Sequence, residues 1–597
     1  MIKGADVSLA NSEEGDGPGR MRRRRGSLVA AVVSLFALVF ATAALAATGG
    51  LVQKPAPNGC VSDDGTGGGC ADGTALLRAS SVTISPDGKN AYATSAGSSA
   101  VTVFDRNAST GALTQKSGTD GCVSEDGSGG ACGDGTALGG ASSVTISPDG
   151  KNAYVASGLA VSILDRDPST GKLTQKAGTS GCISENGTSG APNFTPGACV
   201  DGVALNGPTS VSVSPDGKNL YVASYSSDAV SIFDRNTTTG TLTQKPGTDG
   251  CIAKTSFGGA CTVGTQIDGA RSVTVSPDGK SAYVAAYFSD AVSIFDRDAT
   301  TGKLTQKANP NGCVSNTGSG DRCADGTALD GASSVTVSAD DKNAYVTSFF
   351  SDAVTIFDRN TSTGALTQKS GTDSCISWTG TGGDCADGEA LNGARSVTVS
   401  PDGKNAYVAS AFSKAISILD RNASTGALTQ EAGVDGCISE TGTGGNCTDG
   451  LGLDGAQSVT TSPDEKNVYA AAPDSNAVTI FGQDDRKIDG KASAGETQKQ
   501  KGNKIEVAVK IKANEDLKAK CWGKVSVGGK DYKLKTSKAD VGTGDSATLK
   551  LKPAESKDSK KIAKGLKKKD GKAKVTAQLT DDSGNSSKTK LKIKLKS

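Results

Sequence analysis

The chain contains no histidine, and several other residue types are scarce. Among 597 residues, aromatic residues make up 4% and hydrophobic residues 35%, and there are two methionines and two tryptophans. Without imidazole, the sequence lacks the commonest general base and the Ser-His and Cys-His nucleophile pairs, and histidine metal sites are excluded. Glycine is abundant instead, with 79 residues. This composition favours many short strands joined by tight turns.

The N-terminal region has the features of an export signal. Met21 begins a run of four arginines, an apolar segment covers residues 28–40, and Ala44-Leu45-Ala46 forms an A-x-A cleavage site. The apolar run is short for a membrane span, so residues 1–46 are predicted to be a signal peptide, with initiation at Met1 or Met21. An uncleaved anchor is the alternative. We expect an extracellular protein, either secreted or associated with the cell surface, whose thiols are oxidised.

The phrase SPDGKNAY recurs seven times with small changes, which predicts a repeat architecture. Its first residues are Ser85, Ser147, Ser214, Ser276, Ser338, Ser400 and Ser462. Each unit is predicted to hold four antiparallel strands, for example 272–275, 282–286, 291–295 and 304–307. Four-stranded units in series are typical of propeller blades. A phrase such as residues 296–302, Asp-Arg-Asp-x-x-Thr-Gly, recurs in six units and is interpreted as a hairpin turn of the scaffold.

The ends of the repeat region predict a closed ring. Residues 51–54 match the fourth-strand phrase LTQK, whereas the seventh unit ends after its third strand at 477–481. The N-terminal strand therefore fits the gap in the last blade, and closure protects strand edges that an open array would expose. We predict an all-β chain in which residues 47–483 form a seven-bladed β-propeller.

The phrase SPDGKNAYVAS followed by VSIFDRDATTGKLTQ resembles the YVTN-type and lactonase-family seven-bladed propellers over residues 51–483. The resemblance implies the propeller fold and, as an activity, lactone hydrolysis. Lactonases of this type generally use histidine, often beside arginine or metal ligands. Since this chain has no histidine, no catalytic residue is carried over.

Fourteen cysteines lie in pairs, two in each segment between a fourth strand and the next blade. The pairs are Cys60/Cys70, Cys122/Cys132, Cys182/Cys199, Cys251/Cys261, Cys313/Cys323, Cys375/Cys385 and Cys437/Cys447. Pairing within each loop is the simplest scheme, and bridges between neighbouring loops are the alternative. Zinc is disfavoured because there is neither a C-x-x-C pair nor a histidine. We expect no cofactor, with calcium on the acidic, glycine-rich loops as the open alternative.

A ligand site requires residues that break the sevenfold pattern. The turn after the second strand does so in four successive blades, which predicts an aromatic, acid-flanked arc at the channel mouth. Its residues are Tyr225, Asp228, Tyr287, Phe288, Asp290, Phe349, Phe350, Asp352 and Phe412, with Lys414 in the last turn and Trp378 in a cysteine loop assigned to blade six. Aromatic faces suit sugar rings or apolar peptide anchors, so we expect a glycan or protein ligand. The alternative is that these rings fill gaps beneath long loops.

The two ends of the mature chain carry opposite charge. Residues 47–483 contain 27 Lys and Arg against 44 Asp and Glu, whereas residues 484–597 contain 31 against 15. Residues 484–502 are predicted to be a linker. Residues 503–597 are predicted to form a small basic β-sandwich that resembles an immunoglobulin-like domain. Cys521 is expected to be a buried free thiol.

The basic region is expected to bind polyanions. Outside a cell these are anionic wall polymers and lipids, while nucleic acid is disfavoured because arginine and aromatic readout residues are lacking. The alternative is that lysine only protects strand edges. We expect a monomer. Its function is either that of an exported non-catalytic binding or scaffold protein, which the absence of histidine as a general base favours, or that of a lactonase-like hydrolase that uses carboxylates or a bound metal.

Overall fold

The computed structural model describes residues 50–597 apart from 191–193, 319–321, 432, 484–489, 514–516, 543–544 and 582–585. The predicted signal peptide at 1–46 lies outside the described residues. Strands within 50–483 form seven sheets of six strands, one for each repeat. We number the blades 1 to 7 by the order of their first strands.

The first three strands of every blade form an antiparallel meander. The innermost strands are Ala79–Ile84, Ser143–Ile146, Pro208–Val213, Ala270–Val275, Ala332–Val337, Ala394–Val399 and Ser458–Thr461. The second strands are Asn90–Ser95, Asn152–Ser157, Asn219–Ser224, Ser281–Ala286, Asn343–Ser348, Asn405–Ser410 and Asn467–Ala472. The third strands are Ala100–Arg106, Ala160–Arg166, Ala229–Arg235, Ala291–Arg297, Ala353–Arg359, Ala415–Arg421 and Ala477–Gln483.

The outer edge of each blade contains more than the single fourth strand that the sequence predicts. Fourth strands with the sequence LTQ or LVQ pair with the C-terminal half of the third strand. They are Leu113–Gln115, Leu173–Gln175, Leu242–Gln244, Leu304–Gln306, Leu366–Gln368, Leu428–Gln430 and, in blade 7, Leu51–Gln53. Each covers only three of the seven residues of the third strand.

A second short strand, which we call the cysteine strand, pairs with the N-terminal half of the third strand. The cysteine strands are Cys122–Ser124, Cys182–Ser184, Cys251–Ala253, Cys313–Ser315, Cys375–Ser377, Cys437–Ser439 and, in blade 7, Cys60–Ser62. A parallel two-residue strand lies outside each: Gly133–Asp134, Val200–Asp201, Thr262–Val263, Ala324–Asp325, Ala386–Asp387, Thr448–Asp449 and Ala71–Asp72. The predicted four-stranded blade is therefore corrected to six strands, because the cysteine segment satisfies backbone groups that the fourth strand leaves open.

Every predicted disulfide is present, and each joins the two cysteines of one segment. The first cysteine begins the cysteine strand, and the second lies in a bend directly before the two-residue strand. The bridges are Cys60–Cys70, Cys122–Cys132, Cys182–Cys199, Cys251–Cys261, Cys313–Cys323, Cys375–Cys385 and Cys437–Cys447. This confirms pairing within each loop, and the alternative of bridges between neighbouring loops is wrong. Seven disulfides indicate an oxidising environment.

Short 3-10 helices complete the cysteine segments. They are Gly65–Gly68, Gly118–Asp120, Gly127–Gly130, Gly178–Gly181, Gly247–Gly250, Phe257–Gly259, Gly371–Ser374, Gly380–Gly383, Gly433–Gly436 and Gly442–Gly445. All of them lie either just before a cysteine strand or between the two bridged cysteines, so they turn the chain at the outer edge of the blade.

The N-terminal strand closes the ring as predicted. Leu51 pairs with Gln483 and Gln53 with Phe481, and in the cysteine strand Cys60 pairs with Thr479. Blade 7 thus combines the two ends of the propeller segment, and both halves of its third strand are covered.

Apolar side chains and one buried arginine fill the space between neighbouring blades. Between blades 1 and 2, Arg166 Nε donates to the Tyr92 hydroxyl at 2.6 Å, and its Nη2 contacts Asp87 at 3.1 Å and Asn90 at 2.8 Å. Equivalent arginines are Arg106, Arg235, Arg297, Arg359 and Arg421, each bonded to a tyrosine hydroxyl of the preceding blade. In the third strand of blade 7, Gln483 stands where the others have arginine.

Residues from 490 onward form two sheets and one helix around a common apolar core. The three-stranded sheet contains Gly490–Ser493, Val507–Ala513 and Ser546–Leu551. The six-stranded sheet contains Thr497–Lys499, Leu517–Val527, Lys530–Lys533, Ser537–Val541, Gly571–Asp581 and Ser586–Lys596. The helix covers Ser556–Leu566. The predicted linker at 484–502 is corrected by two strands, Gly490–Ser493 and Thr497–Lys499, which pair within the sheets despite their polar sequences. Residues 484–489 lie outside the described part. The immunoglobulin-like assignment stays a prediction. Cys521 is a buried free thiol as predicted, and burial raises its pKa to about 11.

Throughout the described ranges, no helix is both long and apolar enough to cross a membrane.

Candidate functional site

The turns between second and third strands place the predicted aromatic residues at the mouth of the central channel. Each of these turns is fixed to the next blade by the residue at its fourth position, which adopts a positive φ. The backbone N–H of Gly269 donates to Asp228 at 2.7 Å, that of Gly331 to Asp290 at 2.8 Å, and that of Gly393 to Asp352 at 2.6 Å. The three predicted acids therefore hold neighbouring blades in register beside the arc.

The glycine that precedes the first strand of blades 4, 5 and 6 lets the exposed phenylalanine of the same blade pack closely against the backbone. A Cβ built on Gly269 would lie 2.9 Å from the Phe288 ring, and the equivalent atoms at Gly331 and Gly393 would lie 2.9 and 3.0 Å from Phe350 and Phe412. These glycines also have φ between +66° and +70°, a conformation that side chains rarely adopt. One face of each ring is thus covered by backbone.

The aromatic side chains form one continuous arc across blades 3 to 6. Ring centroids are 5.1 Å apart for Tyr225 and Phe288, 5.4 Å for Tyr287 and Phe350, and 5.0 Å for Phe349 and Phe412. These are ordinary distances for attractive ring pairs. The structure therefore brings together the six rings that the sequence places in four separate turns.

The arc has an inner and an outer row. Phe349 is 7% exposed and Tyr225 and Tyr287 are half-buried, whereas Phe288, Phe350 and Phe412 are 58%, 60% and 63% exposed. The inner row packs as the gap-filling alternative supposes. The outer row presents three open apolar faces to solvent, which scattered surface residues do not provide.

Two arginines below the arc were missed by the sequence analysis. The channel cavity, of about 160 Å³, is lined by two rings of residues from the innermost strands. One ring is serine in all seven blades: Ser81, Ser143, Ser210, Ser272, Ser334, Ser396 and Ser458. The other is Ser80, Ser142, Thr209, Arg271, Ser333, Arg395 and Gln457. The same search for breaks in the sevenfold pattern, applied to these strands, would have found Arg271 and Arg395.

Both guanidinium groups stack against the inner row. The Arg271 carbon Cζ lies 5.9 Å from the Tyr225 ring centroid and 5.4 Å from that of Tyr287, and Arg395 Cζ lies 4.4 Å from that of Phe349. Among the described residues, neither arginine has a carboxylate within ion-pair distance. Burial and the positive charge of Arg395 lower the pKa of Arg271 to about 10, so both remain cationic at neutral pH.

Two of the three acids beside the arc, Asp228 and Asp290, each lie next to a second carboxyl group. Burial, and then a hydrogen bond to the neighbouring Asp268 carboxyl, raise the pKa of Asp228; Asp330 acts in the same way on Asp290. Burial also raises the pKa of Asp352. In blade 6 the equivalent turn position carries a positive charge instead: Lys414 forms an ion pair with Asp454 at 2.7 Å.

Trp378 belongs to blade 5, which corrects its assignment to blade 6, because its cysteine strand pairs with Ala353–Arg359. Its side chain is 44% exposed, and its backbone N–H donates to the Asp352 carbonyl at 3.0 Å. Beside it, Asp330, Phe350 and Asp352 line a cavity of about 410 Å³.

Within the described ranges, no three His, Cys, Asp or Glu side chains lie close enough to hold a metal ion. Calcium binding by the acidic loops stays a prediction.

Solved structures similar to this chain share low sequence identity with it. A periplasmic gluconolactonase of Pseudomonas aeruginosa is 15% identical, with 75% of this chain and 94% of that one covered and a TM-score of 0.41. A candidate 6-phosphogluconolactonase of Bacteroides fragilis is 20% identical, with coverages of 60% and 84% and a TM-score of 0.42. Hydrazine synthase of Kuenenia stuttgartiensis is 19% identical, with coverages of 69% and 97% and a TM-score of 0.39. No curated protein matches the chain.

A family described as lactonase, 7-bladed β-propeller, matches the sequence at residues 81–253, 143–314 and 265–378. The overlapping matches are offset along the chain by one or more blades, as expected for internal repeats. Over residues 81–378, the propeller is therefore similar to the lactonase family of seven-bladed β-propellers.

Proposed function

We propose that the protein is an exported lactonase-like hydrolase whose substrate binds at the aromatic mouth of the propeller channel. The observation that carries the proposal is the pair Arg271 and Arg395, two cations in a channel ring whose other positions are small or uncharged residues, and both lack a carboxylate partner among the described residues. A scaffold has no need for such a pair, because two unpaired, half-buried cations repel each other. An anionic or strongly polarised ligand group would relieve this repulsion.

The proposed substrate is a lactone of a sugar acid. The outer row of rings offers apolar faces to a sugar ring, and the serines of the channel offer hydroxyl groups to its polar edge. The guanidinium of Arg395 would face the lactone carbonyl, where it stabilises the negative charge that develops on the oxygen.

Hydrolysis requires a base in place of the absent histidine. We assign this role to Asp474, which in blade 7 replaces the outer-row phenylalanine of blades 4 to 6. Burial lowers the pKa of Arg395, and the charges of Tyr287 and Asp474 oppose that shift, so Asp474 acts electrostatically on the arginine. The carboxylate would take one proton from water as the oxygen bonds to the carbonyl carbon; the ring C–O bond then breaks, and the ring oxygen takes up a proton.

The test is hydrolysis of glucono-1,5-lactone by residues 47–597, measured by acid release at constant pH. We expect Arg395→Met to lower kcat/KM by about 100-fold or more, in line with the loss of one oxyanion partner. Asp474→Asn should lower kcat with little change in KM. The control is Arg322→Met, which removes an exposed arginine in the cysteine segment of blade 4.

A wild-type protein that hydrolyses no lactone faster than buffer would overturn the proposal. If that protein still binds gluconate in a manner that depends on Arg395, a non-catalytic binding role takes its place.

Export is part of the proposal, and it is supported by the predicted signal peptide and by the seven disulfides. The measurement is the N-terminal sequence of protein recovered outside the cytoplasm, which should begin at Ala47.

A further inference from the structure

A groove in the C-terminal region, far from the channel residues in sequence, has the character of a binding site. Strand Val507–Ala513 pairs along 507–512 with Ser546–Leu551 but only along 510–513 with Gly490–Ser493. The open edge is filled by Gln498: its Nε2 donates to the Ala508 carbonyl at 2.7 Å, and the Ala508 N–H donates to its Oε1 at 2.9 Å. The segment at 498–501 is thereby pinned beside the sheet, and the space between them is a groove of about 740 Å³.

The groove is strongly cationic. Five lysines line it, namely Lys499, Lys501, Lys504, Lys510 and Lys550, together with one acid, Glu506. Glu506 Oε1 lies 3.7 Å from Lys504 Nζ and 3.6 Å from Lys552 Nζ, so its single charge is shared. The other four lysines have no acidic partner in the part of the chain that the structure describes.

The lysines are arranged by strand register and not only by composition. Ala508 pairs with Lys550 and Lys510 with Thr548 across the two strands, which places Lys510 and Lys550 on the solvent-facing side of the sheet. The alternate residues Val507, Val509, Leu549 and Leu551 are buried in the core. The sheet therefore supplies two positive charges on one side of the groove, the pinned segment at 498–501 supplies two more on the other side, and Lys504 adds a fifth.

We propose that this groove binds a linear acidic polysaccharide. Lysine recognises carboxylate groups as a point charge without demanding a planar geometry, which suits spaced uronate groups along a chain. The Ser493 and Thr548 hydroxyls also line the groove and are suited to sugar hydroxyls. No aromatic residue lines it, so nucleic acid bases would lack stacking partners, and a flat lipid surface cannot enter a concave groove. This site is independent of the proposed hydrolase activity.

The experiment is calorimetric binding of residues 47–597 to polygalacturonate across a salt series, with dextran, anionic phospholipid vesicles and single-stranded DNA as comparisons. Lys510→Glu/Lys550→Glu should weaken polygalacturonate binding at least tenfold at low salt. Lys510→Gln/Lys550→Gln should weaken it by a smaller factor. The matched control, Lys590→Glu/Lys592→Glu, makes the same charge change on the six-stranded sheet and should change affinity less than twofold.

Equal losses in the groove and control variants would overturn the proposal, because net charge alone would then explain binding. Binding to vesicles or DNA that matches polygalacturonate, and is weakened by the groove variant, would likewise overturn the polysaccharide assignment. A groove variant that melts like the wild type but keeps full affinity would rule out the groove itself.

Discussion

At the scale of single residues, the buried arginine at the end of the third strand in blades 1 to 6 carries much of the specificity of blade packing. Arg166 reaches a tyrosine, an aspartate and an asparagine of the preceding blade, and its Nη1 donates to the Gly150 carbonyl at 2.9 Å. The sequence analysis interpreted its phrase as a hairpin turn. Asp167 does serve that turn, since it accepts the Ser169 N–H at 2.8 Å, but the arginine beside it acts between blades.

Arg166→Met tests this role. The change leaves the Tyr92 hydroxyl and the Asn90 side-chain amide oxygen without their charged donor in a buried site, so we expect a loss of about 3–5 kcal/mol in the free energy of unfolding. The measurement is chemical denaturation. Lys172→Met is the control, because Lys172 pairs with Asp120 in solvent at 2.6 Å and its loss should change the unfolding free energy by less than about 1 kcal/mol. If both variants lowered the unfolding free energy equally, the buried network around Arg166 would add nothing to stability.

A buried acid gives the propeller a pH dependence at the same scale. Glu125 is 6% exposed and accepts the Leu138 N–H at 2.5 Å, and burial raises its pKa to about 6 from 4.5. The folded protein then holds this proton more tightly than the unfolded chain. The resulting stability is fully present below pH 4.5 and is lost, by about 2 kcal/mol, as pH rises through 6.

Glu125→Gln removes this titration while retaining an acceptor for Leu138. We expect its melting temperature to exceed that of the wild type most clearly above pH 7, and the difference to shrink toward pH 4.5. Calorimetric melts between pH 4.5 and 8 measure this. The exposed Glu389→Gln should show no such trend, and a constant offset for Glu125→Gln would contradict the assignment.

At the scale of elements, alternation and repetition were sufficient to predict the first four strands of a blade and the closing strand. The cysteine strands were not predictable by those means, because three residues between glycine-rich turns are too few to show a period of two. Strand Thr497–Lys499 was missed for a different reason: its residues are mostly exposed, so its pairing with Ser586–Lys596 leaves no apolar pattern. Arg271 and Arg395 were visible as breaks in the repeat but lay inside strands that were assigned to the scaffold.

The third strand of blade 7 is the exception among its equivalents. It ends in Gly482-Gln483, and Asp402 of blade 6 pairs with its own Lys404 at 3.0 Å instead of with an arginine from the next blade. The junction of blades 6 and 7 therefore lacks the charged contact of the other junctions.

Gln483→Arg should restore that contact. Tyr407, Asp402 and Asn405 occupy the positions that contact arginine elsewhere, so we expect a gain of about 1–2 kcal/mol in unfolding free energy. Thermal and chemical melts provide the measurement. Gln483→Lys is the comparison, because a single ammonium cannot make the forked contacts and should gain less. A destabilised arginine variant would show that the backbone at Gly482 keeps the side chain from this position.

At the scale of the whole molecule, one short strand completes the ring. Leu51–Gln53 covers half of the third strand of blade 7, and Leu51 packs in the apolar layer between blades 6 and 7. No other strand covers that half of the edge in the described structure.

Deleting residues 51–54 should lower the melting temperature of the propeller far more than truncating the chain at residue 484. The deletion exposes an unpaired strand edge and removes a buried leucine, whereas the truncation leaves the seven sheets intact. Calorimetry of the two variants beside residues 47–597 decides the matter. Equal propeller transitions in all three proteins would mean that the ring does not depend on this strand.

Ring closure also imposes an order of events on synthesis. Leu51–Gln53 emerges first, but its partner Ala477–Gln483 follows only after about 420 further residues. At ordinary elongation rates of 5–20 residues per second, this strand waits roughly 20–90 s without its partner. Six blades can fold during that interval, but the seventh cannot. In every newly made copy, the apolar strand Leu51–Gln53 must therefore be kept from pairing elsewhere until Ala477–Gln483 has been synthesised.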